Sequence, residues 1–241
     1  METASVTAGE LHSMMMDVRP KVAVFDCDGT LWDGDAGVGF LNWSLEQGIV
    51  SRSTAHWIDT RHRAYQAGEV SEVQICGEMV QIYAGLRDEE LRSAAARYFQ
   101  AFVKPHIFPE MKELVEQLLG LGTEVWAVSS TNKWLILEGM HSFGIAPERV
   151  LAAEVAVVDG VITAELVDVP TDDGKAAALK RVGLASPDAV FGNSIHDLAM
   201  LEMAAHAFAV NPSPSLAQAA ARNGWNVFRP QGAHPLASDI T

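Results

Sequence analysis

The sequence predicts a doubly wound, mostly parallel α/β sheet whose first strand is followed by an all-helical insert. Three observations predict it. Lys21-Val-Ala-Val-Phe-Asp26 is a short, β-branched run closed by polar and glycine residues, the pattern of a buried strand. Gly34 to Val103 carries helical periodicity and no convincing strand. From Pro109 onward strands alternate with helices, which implies a parallel sheet covered on both faces.

Each element has its own signal. Thr7-Ala8-Gly9-Glu10 has the form of a capping box and opens a short helix through Met16, which Arg19-Pro20 ends. The strand to Asp26 follows. In the insert Ser51, Ser71 and Asp88 are the expected N-caps and Gly48, Gly68 and Gly85 the stops, which gives about four helices. Lys104 to Pro109 is the exit linker. Met111, Leu114, Val115, Leu118 and Leu119 then share one helix face, with Gly120 and Gly122 at its end. Glu124 to Val128 is the second strand and Asn132 to Phe143 a helix. Val155 to Thr163 is a hairpin turning at Asp159-Gly160. A helix starts near Gly174, a strand runs from Ala189 to Gly192, and a helix from Ser194 carries Leu198 and Leu201. Strand-like pieces at Ala207 to Val210 and Trp225 to Phe228 complete the pattern. The expected domains are a core of 1–33 plus 108–241 and a helical cap of 34–107.

The 241 residues suit one or two domains, and half of them are apolar, enough for a substantial core. A net charge of −14 excludes the basic footprint of a nucleic-acid binder and a polybasic membrane patch. It does not exclude an anionic ligand, because a bound cation and a few donors reverse the field of a pocket. No apolar run is long enough to span a bilayer, and Met1 to Met16 lacks the basic start and apolar core of a secretory signal. The expected location is the cytoplasm. Cys27 and Cys76 leave room for one disulfide and suggest no disulfide framework.

In an open α/β sheet, ligands bind at the carboxyl ends of the strands. Four polar clusters fall there or at adjoining helix starts. Asp26 and Asp28, two residues apart at a strand end, can divide labour, one attacking phosphorus and the other protonating a leaving oxygen. Carboxylate and backbone oxygens can also hold a hard cation. The alternative is an ordinary acidic turn. Ser129 ends a strand, where its hydroxyl can meet a phosphoryl oxygen or simply cap a turn. Lys175 opens a helix and opposes its dipole, a placement mildly disfavoured without an anionic partner. Asn193 and Asp197 sit in Gly192-Asn-Ser-Ile-His-Asp-Leu-Ala-Met-Leu201, which also reads as a capped helix start.

Together, in this order and on these elements, the four clusters resemble the motifs of the haloacid dehalogenase superfamily: Asp-x-Asp-Gly-Thr, a strand-end Ser, a Lys and a late acidic motif. The likeness covers about 20–33 and 108–210. Val128-Ser-Ser-Thr131, Gly174-Lys175 and the Gly192–Leu201 run are similar to the phosphoserine phosphatase branch, as are the hairpin and the helical insert. The resemblance implies an aspartyl-phosphate on Asp26 and a general acid, then base, in Asp28. Thr30 would support the Asp28 loop. Ser129 and Lys175 would hold phosphoryl oxygens. A magnesium ion would sit on Asp26, the Asp28 carbonyl, Asn193 and Asp197, the last through water. Asn193 departs from the family, which usually has Asp there, so weaker metal affinity is expected.

The implied function is hydrolysis of a small phosphorylated metabolite. A dehalogenase of the superfamily lacks the second aspartate, and the phosphonatases use a cap lysine, whereas 34–103 contains no Lys. Phosphomutase, phosphocholine-type phosphatase, a non-catalytic phosphoryl-ligand sensor and a protein-interaction module stay open. Trp32, Trp43, Trp57, Tyr65 and Tyr83 are the large aromatics of the insert, able to hold a quaternary ammonium by cation–π contact. At least one of Arg52, Arg61 and Arg63 is expected to reach the cleft and clamp a substrate carboxylate. With Thr30, Asp35 and Ser130, these arginines form the expected substrate-binding set.

Overall fold

The structure is a computed structural model and describes residues 5–235. The outermost parts of the expected core, 1–4 and 236–241, lie outside those residues. In chain order the elements are β1 (Ser5–Val6), α1 (Ala8–Val18), β2 (Val22–Phe25), α2 (Ala36–Glu46), α3 (Arg52–Gln66), α4 (Glu72–Gln81) and α5 (Asp88–Tyr98). There follow α6 (Pro109–Gly120), β3 (Glu124–Asn132), α7 (Lys133–Phe143), β4 (Val150–Val158), β5 (Val161–Asp168) and α8 (Asp173–Arg181). The last are β6 (Ala189–Gly192), α9 (Leu198–Leu201), β7 (His206–Val210), α10 (Pro214–Asn223) and β8 (Asn226–Phe228).

The strands form one sheet in the order β1-β8-β7-β6-β2-β3-β4-β5. All neighbours are parallel except the β4–β5 hairpin. The chain leaves β2 for β3 on one side and later returns to β6 on the other, so β2 is the switch point where a crevice opens. Phe25, Phe191 and Phe208 are register partners on β2, β6 and β7, and their rings stack at 4.3 and 4.8 Å. Side chains alternate across β2: Ala23 and Phe25 join one core, and Val24 joins the core on the other face.

Between β2 and β3 no strand occurs among the described residues, as the helical periodicity requires. Ser51 and Ser71 cap α3 and α4, and Gly48, Gly68 and Gly85 take positive φ at the stops. The side chains of this segment enter the same core as those of the sheet: Phe40, Ile58, Tyr83 and Phe99 belong with Phe25 and Trp32. Main-chain bonds tie the α4–α5 turn to the hairpin, with Gly85 N donating to Ile162 O (2.8 Å) and Ile162 N to Leu86 O (2.9 Å). In α3, by contrast, Ile58 is the one buried side chain.

Several boundaries differ from expectation. Asp88 is the first residue of α5, not its cap; its carboxylate instead accepts from Trp134 Nε1 (2.7 Å) and Arg92 Nε (2.6 Å). α5 runs on as a π turn over Phe99–Val103, and the exit linker opens as a 3-10 turn over Lys104–His106 instead of as an irregular segment. α1 runs on to Val18 before Arg19 turns left-handed. The helix after Ser194 is a 3-10 turn leading into the short α9. β1 and α10 lack counterparts among the expected elements.

Candidate active site

β2 ends at the switch point, and Asp26 follows it with its amide anchored on Phe191 O (2.9 Å). Its carboxylate is buried. Oδ1 accepts from Lys175 Nζ (2.7 Å) and Oδ2 from Thr30 Oγ1 (3.1 Å). Burial, and then the charge of Asp197, push Asp26 up to about 7, against the pull of Lys175. Lys175 is 2% exposed and also donates to Asp197. Burial works against its charge, but Asp197 and Asp26 outweigh that and hold the ammonium above the ordinary lysine range. The pairing with two anions explains why a lysine is tolerated in the first turn of α8.

Asp28 lies in a cradle of three donors. Trp32 Nε1 and Ala36 N both reach Oδ1 at 2.7 Å, and Thr131 Oγ1 reaches Oδ2 at 2.7 Å. Burial raises its pKa, and these bonds oppose the rise. Of the three donors only the Thr131 hydroxyl can turn round and accept when Asp28 carries a proton. Thr131→Val is therefore expected to lower kcat by roughly 10- to 100-fold with little change in KM. A kcat within twofold of the parent would show that Asp28 works without this partner.

A cavity of about 210 Å³ opens above these groups. Its floor is Asp26, Asp28, Gly29, Ser129, Ser130, Thr131, Lys175 and Asn193, from the carboxyl ends of β2, β3 and β6 and the start of α8. β3 extends to Asn132 through a register shift after Ser129, so the two serines stand inside the strand's irregular end. Asp35 lines the cavity and caps α2, accepting from Val38 N (2.8 Å).

The predicted residues divide. Asp26, Asp28, Asp35, Ser129, Ser130, Lys175 and Asn193 come together around the cavity. Thr30 is wholly buried beneath it and touches Asp26, so it positions that carboxylate instead of meeting a ligand. Asp197 is also wholly buried; it accepts from Lys175 and from the amides of Asn193 (2.8 Å) and Ser194 (2.9 Å). Gly192 leaves room for it, since a Cβ there would fall 2.8 Å from its carboxyl carbon.

None of the three arginines lines the cavity, which overturns the expected clamp. Arg61 is held by both oxygens of Glu78 at 2.8 Å, Arg63 pairs with Asp59 one turn away, and Arg52 is exposed at the start of α3. Of the aromatics, Tyr65 and Tyr83 line the cavity. Trp32 is buried under Asp28, Trp43 packs with Phe40 and Tyr98, and Trp57 is exposed. His62, Glu72 and Cys76, which lie in no motif, also reach the cavity, as do Thr131 and His196, which lie in motifs that give them no role.

The donor set fits a hard cation. Two buried carboxylates, Asp26 and Asp197, and the half-buried Asp28 face the single ammonium of Lys175, an excess of negative charge that a divalent ion would balance. Gly29, at φ +71, brings the Asp28 loop against Asn193: a Cβ on Gly29 would fall 1.9 Å from the Asn193 amide nitrogen. Among the described residues no group of three Asp, Glu, His or Cys is arranged to hold an ion. The ion that the resemblance implies would be held by the Asp26 carboxylate, the Asp28 carbonyl and the Asn193 amide oxygen, with Asp197 reached through water.

Known proteins resemble this chain in sequence and in fold. A histidinol-phosphatase of Neisseria meningitidis serogroup C is 25% identical over 218 residues, 86% of this chain and 97% of that protein. A Bordetella pertussis protein of unknown function has a similar structure, with a TM-score of 0.77, 22% identity and coverage of 86% and 97%. A substrate-bound phosphoserine phosphatase superposes with a TM-score of 0.60 at 17% identity, covering 88% and 94%. The haloacid dehalogenase-like hydrolase pattern matches residues 23–202, well over half of the sequence, and the chain belongs to that family.

Proposed function

We propose that this protein is a magnesium-dependent phosphatase that hydrolyses a small phosphomonoester through an aspartyl-phosphate on Asp26. The observation that carries the reading is the buried Asp26 carboxylate on the cavity floor, aimed by Lys175 and Thr30, with Asp28 held separately in its own cradle. Asp26 attacks phosphorus while the bond to the leaving oxygen breaks and Asp28 delivers its proton there. Asp28 then takes a proton from water, which attacks phosphorus and releases phosphate from Asp26. Ser129 and Lys175 orient the phosphoryl oxygens. Magnesium, when bound, supplies positive charge that offsets the phosphate dianion and the carboxylates. Residues 34–107 act as a cap over a core of 1–33 and 108–241, and their inner walls keep bulk water from the floor. Among the described residues no helix is long and apolar enough to cross a membrane.

An aryl phosphate assay tests this. Turnover is expected with magnesium and none with chelator. Asn193→Asp adds a formal charge to the ion's surroundings, worth a few kcal/mol at most at an effective dielectric of ~20. The magnesium midpoint, read by activity and by calorimetric titration, should fall in the variant. Metal-independent turnover would sink the function, and an unchanged or higher midpoint would remove Asn193 from the ion's ligands.

A further inference from the structure

The far wall of the cavity comes from α3 and α4 and includes His62, Tyr65, Glu72, Cys76 and Met79. Its charge is unusual. Lys175 is the one lysine or arginine among the lining residues, and its ammonium is already taken by Asp26 and Asp197. Glu72, at the start of α4, is 14% exposed in its side chain. Its Oε1 accepts from Cys76 Sγ (3.3 Å). Its Oε2 is buried with no donor in hydrogen-bond geometry, although the Tyr65 hydroxyl on the same wall lies close enough to the carboxylate to have its own proton held by it. His196 Nε2 stands 3.8 Å from that oxygen, beyond hydrogen-bond reach, while His196 Nδ1 faces Asp172 Oδ1 at 2.7 Å. A carboxylate oxygen left unpaired in a closed wall is costly unless a ligand supplies the donor.

We propose that Glu72 is the specificity residue of the site, receiving an N–H of a protonated amine on the alcohol part of the phosphomonoester. The inference rests on the phosphatase reading for its chemistry and on the Glu72 wall for its selectivity. The same wall rejects two other classes. A substrate carboxylate finds no guanidinium or free ammonium there and faces Glu72 and Asp35, so amino-acid phosphates are disfavoured. A quaternary ammonium carries charge but no N–H, so it leaves Oε2 unsatisfied.

Phosphoethanolamine, phosphocholine, phosphoserine and propyl phosphate separate these cases, with kcat/KM as the readout. The primary amine ester is expected to exceed propyl phosphate by about 10- to 100-fold, the range of a charge-assisted hydrogen bond, and to exceed the other two as well. Glu72→Gln should cut the ratio of amine ester to propyl ester by a similar factor, and Glu72→Asp should keep part of it. Either variant melting far below the parent is replaced by the other. A ratio near one in the parent, or a ratio unchanged by both substitutions, overturns the proposal. Phosphocholine or phosphoserine as the preferred ester overturns it too. If the parent hydrolyses no ester, aryl phosphate included, the phosphatase reading fails by itself. Calorimetric binding of phosphoethanolamine against propyl phosphate to the Asp26→Asn protein then decides Glu72: a preference lost on adding Glu72→Gln supports it, and no preference overturns it.

Discussion

Asp26→Asn is expected to lower phosphatase turnover by about 10⁴-fold or more, because an amide cannot attack phosphorus and the intermediate cannot form. Mass spectrometry of the variant excludes deamidation back to the parent, and beryllofluoride should bind the parent and not the variant. Retained turnover would refute the nucleophile. The same substitution has a second signature. The folded pKa of Asp26, about 7, lies above its ordinary 3.8, so the folded state keeps a proton that the unfolded chain releases across that interval. Stability of the metal-free protein therefore falls as pH rises from about 4 to about 7, by at most about 1.4 kcal/mol per unit from this group. Urea unfolding in chelator should show that slope in the parent and a flatter profile in Asp26→Asn. Equal slopes would mean that burial does not hold the proton on Asp26.

Lys175→Met should be the most destabilising single change at the site. It leaves Asp26 and Asp197 buried with no counter-charge, and breaking a buried ion pair from one side costs about 3–5 kcal/mol. The loss should be larger at pH 8 than at pH 5, because the two carboxylates can escape the cost by taking up protons at the lower pH. Turnover should fall by about 10²-fold or more, since the phosphoryl group loses its fixed ammonium. Unfolding within 1 kcal/mol of the parent at pH 8 would argue that water, and not Lys175, compensates those carboxylates.

The parts of this molecule that were legible in the sequence are those with local causes. Thr7 and Glu10 form the capping box their spacing implies, and Asp159-Gly160 turns the hairpin with both residues at positive φ. The floor of the site was legible because strand ends fall where apolar runs stop, and the polar residue after the run lands at the sheet's carboxyl edge. β1 was not legible: two residues pair with Val227 and Phe228, more than two hundred positions away, and nothing near Ser5 announces it. α10 had a signal, Ser213 as cap and Pro214 at the first turn, but its run of alanines gives a weak apolar stripe. The arginine expectation failed for a different reason. Arg61 points along its helix surface to Glu78 on α4, a partner that periodicity within α3 cannot reveal. Glu72 was invisible for the same cause: its meaning comes from an unpaired oxygen, not from its neighbours in the chain.

The uneven anchoring of the helical segment bears on how a ligand gets in. A swing of the whole segment would tear Phe40, Tyr83 and Phe99 out of a core shared with the sheet and break the main-chain bonds at Ile162. Such an opening would cost much of the global unfolding free energy. α3 is held by far less, since Ile58 is its one buried side chain, and local opening is cheapest where buried apolar contact is least. His62 and Tyr65, which α3 lends to the cavity wall, would leave with it. Local opening of α3 would uncover the cavity while leaving Glu72 and Cys76 of α4 in place, so the wall that reads a ligand stays with the core and the wall that admits it does not.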